Sequence, residues 1–170
     1  MEYSTVNKQL FAEKMAARQS ALGNAYSPAL KKAWGELADT FKQHITQSPA
    51  NKWAVFPLPT GTGKTQGLAL YCALLATAKK HPGILIVTQF KDEANTLAFT
   101  INDLAEKTVA VAYHGDNKTT LEECQRASVL IITHSAFALI QKAKSENKIL
   151  ESNWHQFTQW EGGQRKLTVI

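Results

Sequence analysis

No stretch of this chain is apolar for anything near the roughly 20 residues that a bilayer-spanning helix needs. The opening residues Met1-Glu2-Tyr3-Ser4 lack a basic region followed by an apolar one, which argues against a secretory signal. Cysteine is scarce. Cys72 and Cys124 lie far apart, match no metal-ligand spacing, and are expected as reduced, buried thiols of a cytoplasmic protein. Internal repeats and low-complexity tracts are absent too. What is present is ordinary globular chain: 170 residues, 44% hydrophobic and 19% charged, enough for one domain with a real core. The net charge of +5 favours polyanionic partners only weakly.

The N-terminal part, residues 1–51, reads as helical. Val6, Leu10, Phe11 and Met15 predict one helix over residues 5–20, broken at Gly23-Asn24. Ser27 then offers an N-cap and Pro28 a first helical residue. Leu30, Trp34, Leu37, Phe41 and Ile45 follow at spacings of three and four, an amphipathic stripe that needs a surface to pack on. Ser48-Pro49 should end it.

From residue 52 the rhythm becomes that of an α/β fold. Trp53-Ala54-Val55-Phe56 predicts a short strand, and residues 65–78 a helix apolar almost all round, stopped by His81-Pro82-Gly83. Ile84-Leu85-Ile86-Val87 and Val129-Leu130-Ile131-Ile132 are apolar without alternation, as in parallel strands covered on both faces. Val109-Ala110-Val111 and Lys166-Leu167-Thr168-Val169-Ile170 complete the expected strands. Between them, Ala94, Leu97, Ala98 and Ile101 mark one helix, Thr119 with Glu122 a capping box, and Ala136, Leu139, Ile140 and Ala143 another helix. Gly162-Gly163 predicts a turn in the polar stretch before the last strand. Strands alternating with helices imply a parallel sheet with helices on both faces, whose ligands sit at the carboxyl ends of the strands.

One motif carries chemistry. Pro59-Thr60-Gly61-Thr62-Gly63-Lys64-Thr65 lies between the first expected strand and a helix. Glycines at 61 and 63 let the backbone approach an anion and turn successive N–H groups inward. The helix beginning near Lys64 adds its positive dipole end. Lys64 is the residue type that neutralises β- and γ-phosphates, and Thr65 the one whose hydroxyl ligates Mg. The full phosphate-loop pattern asks for glycine five positions before Gly63, where this chain has Leu58. The expected ligand is ATP with Mg.

The same seven residues resemble motif I of the superfamily 2, DEAD/DEAH-like, helicases and translocases, in which the leading position is often not glycine. Ile84-Leu85-Ile86-Val87-Thr88-Gln89 resembles motif Ia. Val129-Leu130-Ile131-Ile132-Thr133-His134-Ser135 resembles the later strand whose Thr-bearing end touches the nucleic-acid backbone. The resemblance spans residues 52–170 and implies a partial RecA-like, P-loop NTPase domain. Its implied activity is nucleic-acid-dependent ATP hydrolysis coupled to movement on DNA or RNA. Thr88, Gln89, Thr133 and His134 are its implied contacts to nucleic-acid phosphates, with Lys91 adding charge and Gln43 a candidate adenine reader. His114 and His134 show no metal-ligand pattern.

Hydrolysis also needs acids that hold Mg and orient water. In the resembled families an Asp-Glu pair follows the strand matching Leu167-Thr168-Val169-Ile170. This sequence has no such pair, so no catalytic acid is assigned. The resemblance therefore implies a first motor domain cut just before motif II. The fold it implies places one more strand between those of motifs I and II. Without it the sheet would have unpaired edges and call for a second motor domain or a partner protein to complete it. Two other readings compete. One is a nucleotide-binding module without motor activity that regulates or docks on a related ATPase. The other is a small-molecule kinase or ATPase, weakened by having only Arg126 and Arg165 after the loop.

Overall fold

The computed structural model describes residues 3–47, 53–117, 119–146 and 157–170. In chain order its elements are helices α1 (Lys8–Ala21), α2 (Pro28–Gln47) and α3 (Lys64–Ala76), strand β1 (Gly83–Thr88), helix α4 (Lys91–Ala105), strand β2 (Ala110–Tyr113), helix α5 (Leu121–Arg126), strand β3 (Val129–Thr133), helix α6 (His134–Ser145), and strands β4 (Gln159–Trp160) and β5 (Gly163–Val169). The strands form one mostly parallel sheet in the order β2-β3-β1-β5-β4, with only β4 antiparallel.

The unbroken apolar strands are buried on both faces, as their composition requires. Ile84, Ile86, Val129, Ile131 and Leu167 turn to one side, where α3 and α4 pack and where α1 and α2 join the same core. Leu85, Val87, Leu130 and Ile132 turn to the other, against Cys124 of α5 and Ala136, Phe137 and Ile140 of α6. Tyr71 of α3 knits the helical side together: its ring meets Phe11 of α1 at 5.9 Å and Phe41 of α2 at 4.8 Å, both edge-on. Edge-on pairs of this kind add about 0.5–1.5 kcal/mol beyond the area they bury.

Helix starts follow local chemistry. Asn7, not a residue near Thr5, caps α1, its side chain accepting from the N–H groups of Gln9 and Leu10. Ser27 Oγ accepts from Leu30 N–H at 3.1 Å and Pro28 opens α2, as expected. The expected stop at Ser48-Pro49 lies outside the described residues. The capping box of α5 is Thr120 with Glu123, one residue later than the Thr119–Glu122 pair expected. The chain offers the same Thr-x-x-Glu spacing twice in succession. Thr119 is turned instead toward β2, its hydroxyl donating to the Ala112 carbonyl at 2.9 Å.

One expected strand does not form. Among the described residues, 53–56 pair with no strand and leave Trp53 70% and Val55 85% exposed. Their β-forming composition has no neighbouring strand to satisfy it, and composition alone does not make a strand. The backbone then turns tightly, Leu58 N–H donating to the Phe56 carbonyl at 2.9 Å around Pro57. β4, by contrast, lies in a stretch whose composition reads as polar connection; it folds back on β5 through Glu161-Gly162.

A buried cation closes the sheet. Arg165 of β5 donates from Nη1 to the Ser128 carbonyl at 2.8 Å, and from Nη2 to those of Cys124 and Ala127 at 2.7 and 2.9 Å. Burial lowers its pKa to about 10, which leaves the guanidinium charged at neutral pH. Arg165→Ala should strand these carbonyls and cost about 3–5 kcal/mol in a urea unfolding titration; a loss under about 1 kcal/mol would show that water replaces the guanidinium. Cys72 and Cys124 are fully buried, and burial raises both thiol pKa values, that of Cys124 to about 11. Neither should react with a disulfide reagent at about pH 8 in the folded protein, and both should react once it is unfolded.

Candidate functional site

The loop from Pro59 to Gly63 hangs between the unpaired segment and the first turn of α3. Gly61 has φ 81° and Gly63 φ 80°, both left-handed, with Thr62 between them. An L side chain in that region costs about 1–2 kcal/mol, which is why glycine stands at both positions. A left-handed residue on either side of Thr62 bends the backbone sharply. α3 begins at once with Lys64, so its first N–H groups, which lack intrahelical partners, follow directly on the loop. Gly67 N–H to the Gly63 carbonyl at 2.7 Å closes the first turn.

Three side chains brace the loop. Thr62 Oγ1 donates to the Pro59 carbonyl at 2.7 Å. Lys64 Nζ arches back and donates to the carbonyls of Leu58 and Pro59. From α2, the indole N–H of Trp34 donates to the Thr62 carbonyl at 2.9 Å. α1 contributes beside it: Arg18 Nε donates to Gln66 Oε1 at 2.9 Å, and Gln19 packs against Gly63.

A cavity of about 910 Å³ opens next to the loop. Its lining includes the polar Lys64, Thr65, Thr88, Gln89, Glu93 and His134, Lys166 to Val169 of β5, and Trp53 and Phe56 of the segment before the loop. The loop therefore lies at the carboxyl end of the sheet, where α/β proteins bind ligands.

Comparison with family models, with curated proteins and with solved structures finds no match to this chain. Its chemistry rests on its own residues.

Thr88 and Thr133 sit side by side in register at the ends of β1 and β3. Both are buried and their hydroxyls are engaged locally. Thr88 Oγ1 donates to the Phe90 carbonyl at 3.1 Å, and Thr133 Oγ1 accepts from Ala136 N–H at 3.3 Å, capping α6. Gln89 and His134 are exposed on the cavity wall. Lys91 pairs with Asp116, and that lysine holds the Asp116 carboxyl below its usual range. His114 is buried with Nε2 3.0 Å from Asn95 Oδ1, a structural role. Gln43 is exposed, while Thr40, Phe41 and His44 supply the wall from α2.

Some participants leave little mark in the sequence. Trp34 reads there only as part of an apolar stripe, and Gln19 and Arg18 carry no motif at all. Glu93, in the first turn of α4, is the sole acid among the described residues lining the cavity. Among the described residues no group of three or more His, Cys, Asp or Glu gathers to hold a metal.

An added Cβ at Gly61 meets open space, whereas one at Gly63 comes within 3.0 Å of Gln19 Nε2 and 3.4 Å of Met15 Cε. Gly61→Ala should therefore lose about 1–2 kcal/mol of stability from backbone strain alone. Gly63→Ala should lose more in the same denaturant series. Equal losses would mean that α1 does not press on the loop.

Proposed function

We propose that residues 59–65 bind the triphosphate of ATP together with Mg. The observation that carries this is the pair of left-handed glycines flanking Thr62 immediately before Lys64, Thr65 and the N-terminus of a buried helix. The amides of the turn donate to phosphate oxygens, Lys64 neutralises the β- and γ-phosphates, and the Thr65 hydroxyl ligates Mg.

On this basis the chain is the ATP-binding part of a nucleic-acid-dependent ATPase, a P-loop NTPase of the superfamily 2 helicase and translocase type. Supporting it are the resemblance of three segments in order and the convergence of Gln89 and His134 on the cavity that holds Lys64 and Thr65. Contacts there would go to the DNA or RNA backbone and carry no base sequence. With the hydroxyls of Thr88 and Thr133 engaged in local hydrogen bonds, exposed Gln89 and His134 are the side chains left to make them. Among the described residues no helix is long and apolar enough to cross a membrane.

The protein partner fits the same scheme. Among the described residues no strand pairs with the outer edge of β5 beyond Gln164, and residues 53–56 find no partner beside the same cavity. A strand from a second motor domain or a partner protein would pair with both, and unpaired edges of this kind invite such additions.

Calorimetric titration of Mg·ATP into the wild-type chain and Lys64→Ala tests the site. Charge-assisted contacts of this type are worth about 1.5–3 kcal/mol, so the variant should bind roughly 10- to 100-fold more weakly. A folded wild-type chain that ignores millimolar Mg·ATP would sink the proposal. ATP turnover of the sheet-completed protein with and without single-stranded DNA or RNA then tests the class. Stimulation supports a motor; binding without turnover supports a nucleotide-binding module that docks on a related ATPase.

A further inference from the structure

We propose that the α1–α2 pair is a working part of the phosphate site and that Trp34 is the positioning residue that aims the Gly63 amide at the triphosphate. The inference rests on the phosphate-binding assignment and says what holds that site in shape.

Trp34 is fully buried, tilted against the ring of Tyr26 at 5.6 Å, and its one polar atom is spent on the Thr62 carbonyl. The peptide unit joining Thr62 to Gly63 is planar and trans, so its C=O and N–H point in opposite directions. Fixing the carbonyl on α2 therefore fixes the Gly63 N–H away from α2, toward the open side of the loop. Turning that peptide over would leave a buried indole N–H without an acceptor, which is an unfavourable state for any core donor.

The neighbouring contacts act in the same sense. Gln19, itself held by Asn24 Nδ2 at 2.9 Å, fills the space beside Gly63 where a side chain would stand. Arg18 holds Gln66 in the first turn of α3. On the other flank, residues 53–56 form no strand among the described residues, and only Phe56 packs against the core. With the internal braces of Thr62 and Lys64, α1 and α2 thus set the loop's shape before any ligand arrives, and donors already aimed at an anion bind it without first being ordered.

The test uses the full chain. Trp34→Phe keeps the buried ring and removes the N–H. Calorimetry should show its affinity for Mg·ATP falling about tenfold, close to the loss of one good hydrogen bond. Arg18→Ala, at a partly exposed position, should cost about two- to threefold and guards against a Trp34 variant that does not fold. In the ligand-free wild type, NMR should find the Trp34 indole N–H strongly protected from exchange, and Trp34→Phe should shift or broaden the Gly63 amide resonance. A freely exchanging indole overturns the inference whatever the chain binds. So does a folded Trp34→Phe that matches wild type in affinity and in the Gly63 resonance. A wild type with a protected indole that ignores Mg·ATP overturns the phosphate assignment, and with it the positioning role of Trp34.

Discussion

The indole N–H of Trp34 meets the carbonyl of Thr62 at 2.9 Å, and that bond ties the glycine loop to the buried face of α2. A loop rich in glycine has many conformations open to it, so something outside must choose one. The choice is made by helices that precede the loop by several turns of chain. The aromatic contacts of Phe11 and Phe41 with Tyr71 tie those helices to α3, so the loop and the helix it feeds rest on one rigid block. The N-terminal helices share a single core with the sheet.

How much of this can be read from sequence depends on how local each determinant is. The apolar runs at Ile84 and Val129, the Ser27-Pro28 helix start and the two glycines of the loop are local statements, and each leads to the right element. Residues 53–56 have a composition that suits a strand, but a strand exists only against a neighbour, and composition does not supply the neighbour. The capping box slips by one because Thr119 and Thr120 offer the same pattern, and the hydrogen bond that turns Thr119 toward Ala112 of β2 lies outside that pattern. The role of Trp34 is invisible in sequence for the same reason. Its stripe announces burial and says nothing of a carbonyl 28 positions away.

The candidate site is legible where chemistry and conformation coincide. Gly61, Gly63, Lys64 and Thr65 form a turn leading into a helix, at the same end of the sheet as Thr88 and His134, but without the strand expected before them. The threonines are engaged locally instead. Their position at strand ends follows from the pattern, but a strand-end hydroxyl has a second use as a cap, and local geometry gives Thr133 that use. Glu93 escapes notice because an acid in the first turn of a helix is commonplace.

Arg165 reaches the carbonyl of Ile84 across 81 positions of chain, and β5 lies next to β1 in the sheet. The strand at the middle of the sheet is thus completed by a segment synthesised long after it. Until then β1 has β3 on one flank and nothing on the other, and its apolar face waits for a distant partner. Topologies with such long-range pairings fold slowly and spend time exposed to other chains. Production of this protein should accordingly be sensitive to how fast it is made and to which chaperones attend the half-built sheet.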